Sequence, residues 1–129
     1  MNKLFATTAV LLLSSISHAD IIKCNFTEPF ITTTYSTTQS TLTYDDASTG
    51  KSVIQNVSFQ IKGPGAFELV NSKGQVLQTL TLNNQGSDGM SNNLYPYEVR
   101  DNKISRFANG GVGGCSSNHL KTKFSDENY

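Results

Sequence analysis

Few residues of this chain can carry acid–base or nucleophilic chemistry. Only two histidines, His18 and His119, and two cysteines occur among its 129 residues. A Ser-His-Asp arrangement could combine His119 with Asp88 and a serine, but the Gly-x-Ser-x-Gly turn that exposes a nucleophilic serine is absent. We therefore do not expect a serine hydrolase.

Paired carboxylates are a second source of chemistry, because glycoside hydrolysis uses two of them. Glu28 and Glu98 could converge, but sequence spacing does not fix the distance between two carboxylates. Asp45-Asp46 has the character of a turn and lacks the number of oxygen ligands that a calcium loop supplies. Other acidic candidates are Glu68 and Asp88. The sequence predicts no catalytic residue, no metal site and no cofactor.

Residues 1–19 have the pattern of a secretory signal peptide. After a short positive start, the apolar run 4–16 leads to Ser17-His18-Ala19, a small-x-small cleavage site before Asp20. The run is shorter than the roughly 20 residues of a membrane-spanning helix, and a lipoprotein would need a cysteine directly after the cleavage point. We predict a periplasmic or secreted β-domain over residues 20–129, with a polar C-terminal tail and no membrane span.

Cleavage at this position leaves His119 as the single histidine. One histidine and two cysteines cannot build a Cys/His zinc site or a two-histidine metal site. Cys24 and Cys115 lie near opposite ends of the exported chain, and an oxidising compartment favours a disulfide between them over free thiols, the alternative. Such a bridge would stabilise the fold by an amount on the order of 4 kcal/mol.

The charge composition of the chain argues against nucleic acid as a partner. The chain carries 10 basic and 10 acidic residues, which argues against the basic surface that nucleic acid binding requires. Charged residues make up 16% of the chain, below the roughly 25% of typical soluble domains. The length allows one domain.

Apolar residues recur with a period of two, which is typical of β-strands. Turn residues separate the candidate strands, and the glycine-rich stretch 110–114 is expected to be a connection without a phosphate-binding role, because no helix follows it. We predict an all-β fold of about eight antiparallel strands in one small barrel or sandwich. The candidate strands are 22–26, 30–35, 41–44, 53–61, 67–70, 76–82, 95–99, 104–107 and 119–124.

Residues 27–49 contain nine threonines. A flat threonine array could bind a regular surface such as a polysaccharide, whereas a soluble hairpin would use threonine as a good strand former. Thr32-Thr33-Thr34 must occupy both faces of a strand, which favours the hairpin interpretation.

One block resembles a known family. Ser87-Asp88-Gly89-Met90-Ser91 continues through Asn92-Asn93-Leu94 to Tyr95-Pro96, and Gly114-Cys115 follows about 20 residues later. This pattern is similar to the D-G-M-S-x-x-x-Y-P block and downstream G-C of a family of uncharacterised bacterial envelope proteins, and Glu28-Pro29-Phe30 resembles that family's other landmark. Together the blocks span most of residues 24–115.

The resemblance implies a compact exported β-domain without established catalytic activity. Members resemble, distantly, the membrane-bound lysozyme inhibitors and the META-type small β-domains. Relatives have a cysteine just before the D-G-M-S block, where this chain has Gln85-Gly86-Ser87. Their disulfide pairings therefore do not transfer. No match to the Ser- and Lys-bearing loops of the lysozyme inhibitors is present, so that activity would rest on fold analogy alone.

The D-G-M-S block has a structural and a functional interpretation. As a turn, Asp88 would accept backbone hydrogen bonds, Gly89 would take a left-handed conformation and Met90 would pack as a flexible plug. As a binding surface on a rigid loop, the block would use five residues. These candidate binding residues are Asp88, Met90, Ser91, Asn92 and Tyr95.

The sequence thus predicts an exported, non-catalytic β-domain that binds an envelope or secreted protein or another cell-envelope component. The alternative is an inhibitor of a lysozyme-type glycan hydrolase.

Overall fold

The computed structural model describes residues 20–26, 30–104 and 111–123. The predicted signal peptide, Glu28 and the polar tail after position 123 lie outside these residues. The described residues form nine β-strands. They are β1 (Ile21–Phe26), β2 (Ile31–Ser36), β3 (Thr41–Asp46), β4 (Gly50–Ile54), β5 (Ser58–Gly63), β6 (Ala66–Val70), β7 (Val76–Gly86), β8 (Tyr95–Asp101) and β9 (Val112–Ser117).

All nine strands belong to one antiparallel sheet with the order β4-β3-β2-β1-β9-β8-β7-β6-β5. The predicted all-β, antiparallel, single-domain fold is confirmed. The described residues hold nine strands instead of about eight, and a single sheet takes the place of a two-sheet sandwich. The sheet is not closed, because β4 and β5 form its two edges although they follow each other in the chain.

The sheet is rolled around a common interior, so that side chains from distant strands meet. Alternation on β2 buries Ile31, Thr33 and Tyr35 and leaves the residues between them half buried. The Thr32-Thr33-Thr34 segment therefore does occupy both faces. On the inner face the rings of Tyr35, Phe59 and Phe67 stack in sequence, with centroids 6.4 and 5.1 Å apart.

A buried polar network crosses this interior. Asp101, at the end of β8, accepts hydrogen bonds from the Tyr44 hydroxyl at 2.7 Å and from Gln78 Nε2 at 2.8 Å. The same Gln78 nitrogen donates to Thr33 Oγ1 at 3.0 Å. Burial, followed by the charge and the hydrogen bond of Asp101, raises the pKa of Tyr44 far above its ordinary value. The network joins β2 and β3 to β7 and β8 across the sheet interior.

The predicted disulfide is present. Cys24 of β1 and Cys115 of β9 are directly opposed in the strand register and are bonded to each other. Both are buried. The bridge therefore fastens the first strand to the last, the pairing with the longest connection in the sheet.

The predicted strand 53–61 was wrong, because it breaks into β4 and β5. Asn56 adopts a φ of 61°, outside the extended region, and residues 55–57 belong to neither strand. Beyond it Val57 is buried, whereas Val53 and Ile61 are largely exposed. The turn changes the face on which the alternating apolar residues fall.

Strand β9 was not predicted, because two glycines interrupt its apolar pattern. A Cβ at Gly113 would lie 2.4 Å from the Asn25 carbonyl oxygen, and a Cβ at Gly114 would lie 2.7 Å from the Tyr95 ring. Close packing of β9 against β1 and Tyr95 therefore requires glycine at both positions.

Two candidate strands near the C-terminus were also wrong in the described residues. Ile104 lies in a tight turn after β8, and 105–107 lie outside the described residues. Residues 119–123 form a bend whose strand pairing is one isolated bridge, from Lys123 to Leu94.

Candidate binding site

The loop between β7 and β8 is organised by one carboxylate. Asp88 Oδ1 accepts the backbone N–H groups of Met90 at 2.9 Å and Ser91 at 2.8 Å. The Ser91 hydroxyl donates to Oδ2 of the same carboxylate at 2.9 Å. Gly89 has a φ of 78°, the left-handed conformation that a chain reversal at this point needs. The predicted turn is confirmed.

Tyr95 anchors the loop to the sheet. Its hydroxyl donates to Asp88 Oδ2 at 3.0 Å and accepts Asn25 Nδ2 at 3.3 Å. Thr32 in turn donates to Asn25 Oδ1 at 3.1 Å. A continuous chain of polar contacts thus runs from β2 through β1 and β8 to the loop, and Gly114 of β9 packs under the Tyr95 ring.

The electrostatics of the loop follow from these contacts. Burial alone would raise the pKa of Asp88, but hydrogen bonds from Ser91, Met90 and Tyr95 outweigh it and lower that pKa. Burial is the main cause of the raised pKa of Tyr95, and its hydrogen bond to Asp88 adds to the effect. Asp88 is therefore a charged acceptor and Tyr95 a neutral donor at neutral pH.

We expect Asp88→Ala to reduce the free energy of unfolding by about 1 to 2 kcal/mol, because it removes the acceptor of four donors. Urea denaturation measures the loss, with Asp45→Ala, an exposed aspartate on β3, as the matched control. The folded-state pKa of Asp88 lies below its unfolded value of about 3.9, so this stabilisation is present above that pH and disappears as pH falls through the folded pKa. A difference between wild type and variant that stays constant below pH 4 would contradict the assignment.

A groove of about 280 Å³ lies beside the loop. Two large apolar side chains in its lining are open to solvent, Phe30 with 56% and Met90 with 64% of its surface exposed. Phe30 also has a φ of 71°, a conformation that is strained for a bulky side chain. The complete lining is Asn25, Phe26, Phe30, Ile31, Thr32, Asp88 and Met90.

The five predicted binding residues have different positions at this groove. Asp88 and Met90 line it. Tyr95 is buried and supports Asp88 from below, while Ser91 is bound to Asp88 and Asn92 is exposed on the loop. The expectation that Met90 packs as a plug was wrong, because its side chain is largely exposed.

Sequence reasoning missed the other half of the site. Phe30 was assigned to the second strand, whereas β2 begins one residue later. Asn25 and Thr32 reach the loop only through the antiparallel register of β1 and β2. The nearest sequence signal was Phe30 itself, an aromatic residue directly after a proline.

The residues considered for catalysis have other partners. His119 Nε2 lies 2.9 Å from Asp20 Oδ1, and Glu98 accepts Asn83 Nδ2 at 2.8 Å. Glu68 forms an ion pair with Lys62 at 3.8 Å. Across 20–26, 30–104 and 111–123 no group of three His, Cys, Asp or Glu side chains is placed to hold a metal ion. The same ranges contain no helix of the length and apolarity needed to cross a membrane.

These features define a disulfide-bonded all-β domain. It has a groove with two exposed apolar side chains, beside a loop that is held by hydrogen bonds of Asp88 and Tyr95. Comparisons with protein-family models, with curated proteins and with solved structures found no match to this chain. The resemblance to the envelope family stays a prediction.

Proposed function

We propose that this chain is an exported, non-catalytic β-domain that binds an envelope or secreted protein through the groove between Phe30 and Met90. The observation that carries the proposal is the exposure of these two large apolar side chains in one groove, with Met90 on the loop that Asp88 organises and Phe30 directly before β2. Binding residues are often placed on loops that a rigid scaffold positions. Methionine and aromatic residues are enriched in protein interfaces.

The exposure of Phe30 and Met90 favours a protein partner. The volume of the groove, about 280 Å³, lies at the lower end of the range of small-molecule pockets, roughly 300 to 1,000 Å³. The groove has room for an apolar side chain of a partner. The strain at Phe30 supports this role, because strained conformations cluster at functional sites.

Export is part of the proposal. The disulfide favours an oxidising compartment, in agreement with the predicted signal peptide and a periplasmic or secreted location.

We further propose that the rolled sheet serves as a small barrel with a seam between β4 and β5. The bonds Tyr44–Asp101 and Gln78–Thr33 across the interior support a barrel-like scaffold.

The test is capture of a partner from an envelope extract by the immobilised protein. Phe30→Asn combined with Met90→Ser should reduce capture at least about tenfold, as loss of apolar anchors at an interface does. Because asparagine tolerates a positive φ, the double variant should keep or exceed the stability of the wild type. The loss of binding would then not reflect unfolding.

Val53→Ser combined with Ile61→Ser is the matched control. These side chains are 55% and 72% exposed and lie outside the groove. The control should retain capture. If the groove variant retains capture and the control loses it, the binding surface lies elsewhere on the molecule. If the wild-type protein captures nothing specifically, the proposal is rejected.

Inhibition of a lysozyme-type glycan hydrolase is the alternative proposal for the same surface. Phe30 and Met90 are largely exposed beside the Asp88 carboxylate, and an inhibitor would present these side chains to an enzyme cleft. A lysozyme assay with purified protein separates the two proposals. Dose-dependent inhibition that the groove variant loses supports the inhibitor, and no effect at micromolar excess rejects it.

A further inference from the structure

One edge of β4 is unpaired. Among residues 20–26, 30–104 and 111–123, β4 pairs with β3 on one side and with no strand on the other, and β5 forms the opposite edge of the sheet. An unpaired strand edge presents N–H and C=O groups to which an extended polypeptide can be added as a further strand.

The seam between β4 and β5 is closed at the turn that connects them and open further away. At the turn, Val57 is buried and its carbonyl oxygen accepts the Tyr35 hydroxyl at 2.9 Å. Away from the turn, Ser52 of β4 lies opposite the buried Tyr44 and is nevertheless exposed, and Ile61 of β5 is 72% exposed. The interior face of β4 is therefore accessible from the seam.

The strand register identifies the backbone groups of β4 that point to the free edge. In an antiparallel pair, hydrogen-bonded residue pairs alternate with non-bonded pairs. Ala47 N–H donates to the Phe30 carbonyl oxygen, which continues the β2–β3 register by one bonded pair. Tyr44, three positions before Ala47, therefore points its backbone groups away from β2 and towards its β4 partner, Ser52. The two neighbours of Ser52 then direct their N–H and C=O groups to the free edge, and they are Lys51 and Val53.

A cavity of about 320 Å³, which we call the seam cavity, lies beside this edge. The buried side chains of Ile31, Tyr44 and Ile104 line it, and Ser52 of β4 lines it as well. In an added antiparallel strand, the residue opposite Ser52 would direct its side chain to the same face, because directly opposed residues have their Cβ atoms about 4.5 to 5.5 Å apart. The seam cavity would receive that side chain, and its buried lining favours an apolar one.

Charge does not select the occupant of this edge. Lys51 lies opposite the exposed Asp45 in the β3–β4 register. Lys103 Nζ lies 4.6 Å from the centroid of the Tyr44 ring, whose hydroxyl donates to the buried Asp101 carboxylate. Neither ammonium group is left to select an anion, so the backbone groups and the apolar side chain determine binding.

A second copy of this chain is a poor occupant. A lysine in an edge strand deters pairing between copies, because it brings like charges together. Both edges carry one, Lys51 on β4 and Lys62 on β5. A segment of a different protein does not meet this repulsion.

We propose that the free edge of β4 binds an extended segment of a partner protein as an added strand, with one apolar side chain of the segment in the seam cavity. This surface is separate from the groove of Phe30 and Met90. Binding at the groove depends on side chains and binding at the edge on backbone groups, so either proposal can fail without the other.

Titration of the ¹⁵N-labelled protein with the acetylated and amidated pentapeptide Thr-Thr-Leu-Thr-Thr, followed by amide chemical shifts, tests the proposal. We expect saturable shifts at Lys51, Ser52 and Val53. N-methylation of the second and fourth residues, whose N–H groups would face β4, should weaken binding at least about tenfold. N-methylation of the central leucine, whose N–H would face away, is the matched control and should leave the affinity unchanged. Replacement of that leucine by serine should also weaken binding, because it empties the seam cavity.

Three results would each overturn the proposal. They are the absence of saturable shifts in β4, equal affinity of the doubly N-methylated peptide, and equal affinity of the serine peptide.

Val53→Pro provides the second arm. It removes the N–H that points to the free edge, and an edge strand tolerates proline at such a position, so the variant should fold as the wild type does. Peptide affinity should fall about tenfold or more. Val53→Thr keeps the N–H and the branched shape and should bind the peptide as the wild type does. Equal affinities of Val53→Pro and Val53→Thr would contradict the assignment. Dimerisation of the wild-type protein alone in sedimentation velocity, abolished by Val53→Pro, would assign the edge to a second copy and reject the proposal.

Discussion

Replacement of both Cys24 and Cys115 by serine is expected to lower the free energy of unfolding by about 4 kcal/mol. The bridge spans 91 residues of sequence, and the entropy that it removes from the unfolded chain grows with loop length. For a domain of this size the melting temperature should fall by roughly 15 °C or more. Thermal unfolding followed by far-UV circular dichroism measures the effect.

The position of the bridge adds a structural reason. It joins β1 to β9, and that pairing brings together the two ends of the described chain. Asn25 and Gly114, the neighbours of the two cysteines, support Tyr95 and through it the Asp88 loop. The disulfide therefore also stabilises the base of the candidate binding site.

A reducing agent is the control for this prediction. It should lower the melting temperature of the wild-type protein to that of the serine variant and leave the variant unchanged. Equal melting temperatures for oxidised wild type and variant would show that the bridge contributes nothing to stability.

The second large effect is expected for Asp101→Asn, with a loss of about 3 kcal/mol or more. Asp101 is fully buried and accepts four hydrogen bonds, from Tyr44, Gln78 and the backbone N–H groups of Lys103 and Ile104. Asparagine has the same shape but replaces one acceptor oxygen by a donor. Two buried donor groups would then lie against the NH2 group of the asparagine, which is also a donor. A buried donor without an acceptor costs about 1 to 3 kcal/mol.

Urea denaturation of Asp101→Asn is to be compared with that of Asp45→Asn. The control makes the same chemical change at an exposed residue of β3, where a change within about 0.5 kcal/mol is expected. Tyr44→Phe removes one donor and leaves three. Its loss in the free energy of unfolding should therefore lie between the losses of Asp101→Asn and Asp45→Asn. If Asp101→Asn and Asp45→Asn share one midpoint, the network does not stabilise the fold.

The sequence predicted the strands whose two faces differ. β2 and β3 alternate between buried and half-buried or exposed residues, and this period of two is visible in the residue types alone. β9 has the sequence VGGCSS, in which glycine carries no strand signal. Its two glycines are explained by contacts with Asn25 and Tyr95, and these contacts exist only after the sheet has formed.

Part of the candidate site could also be predicted from the sequence, and part could not. The Asp88-Gly89 turn was predictable, because its hydrogen bonds run to residues two and three positions along the chain. Phe30 and Met90 lie 60 positions apart, and no local pattern indicates that they line one groove. A second cavity is likewise lined by three segments that are distant in sequence, namely Ile31, residues 44–52 and residues 103–104.

By itself the sequence determined the properties that depend on local physics: an all-β fold from apolar alternation, turns from Asp, Asn and Gly, and two cysteines for one bridge. The tertiary structure decided which distant residues share a surface, because the pairing of β1 with β9 and the rolling of the sheet place them together. It also decided that Met90 and Phe30 are exposed. Exposure depends on what packs against a side chain, and residue type does not specify that neighbour.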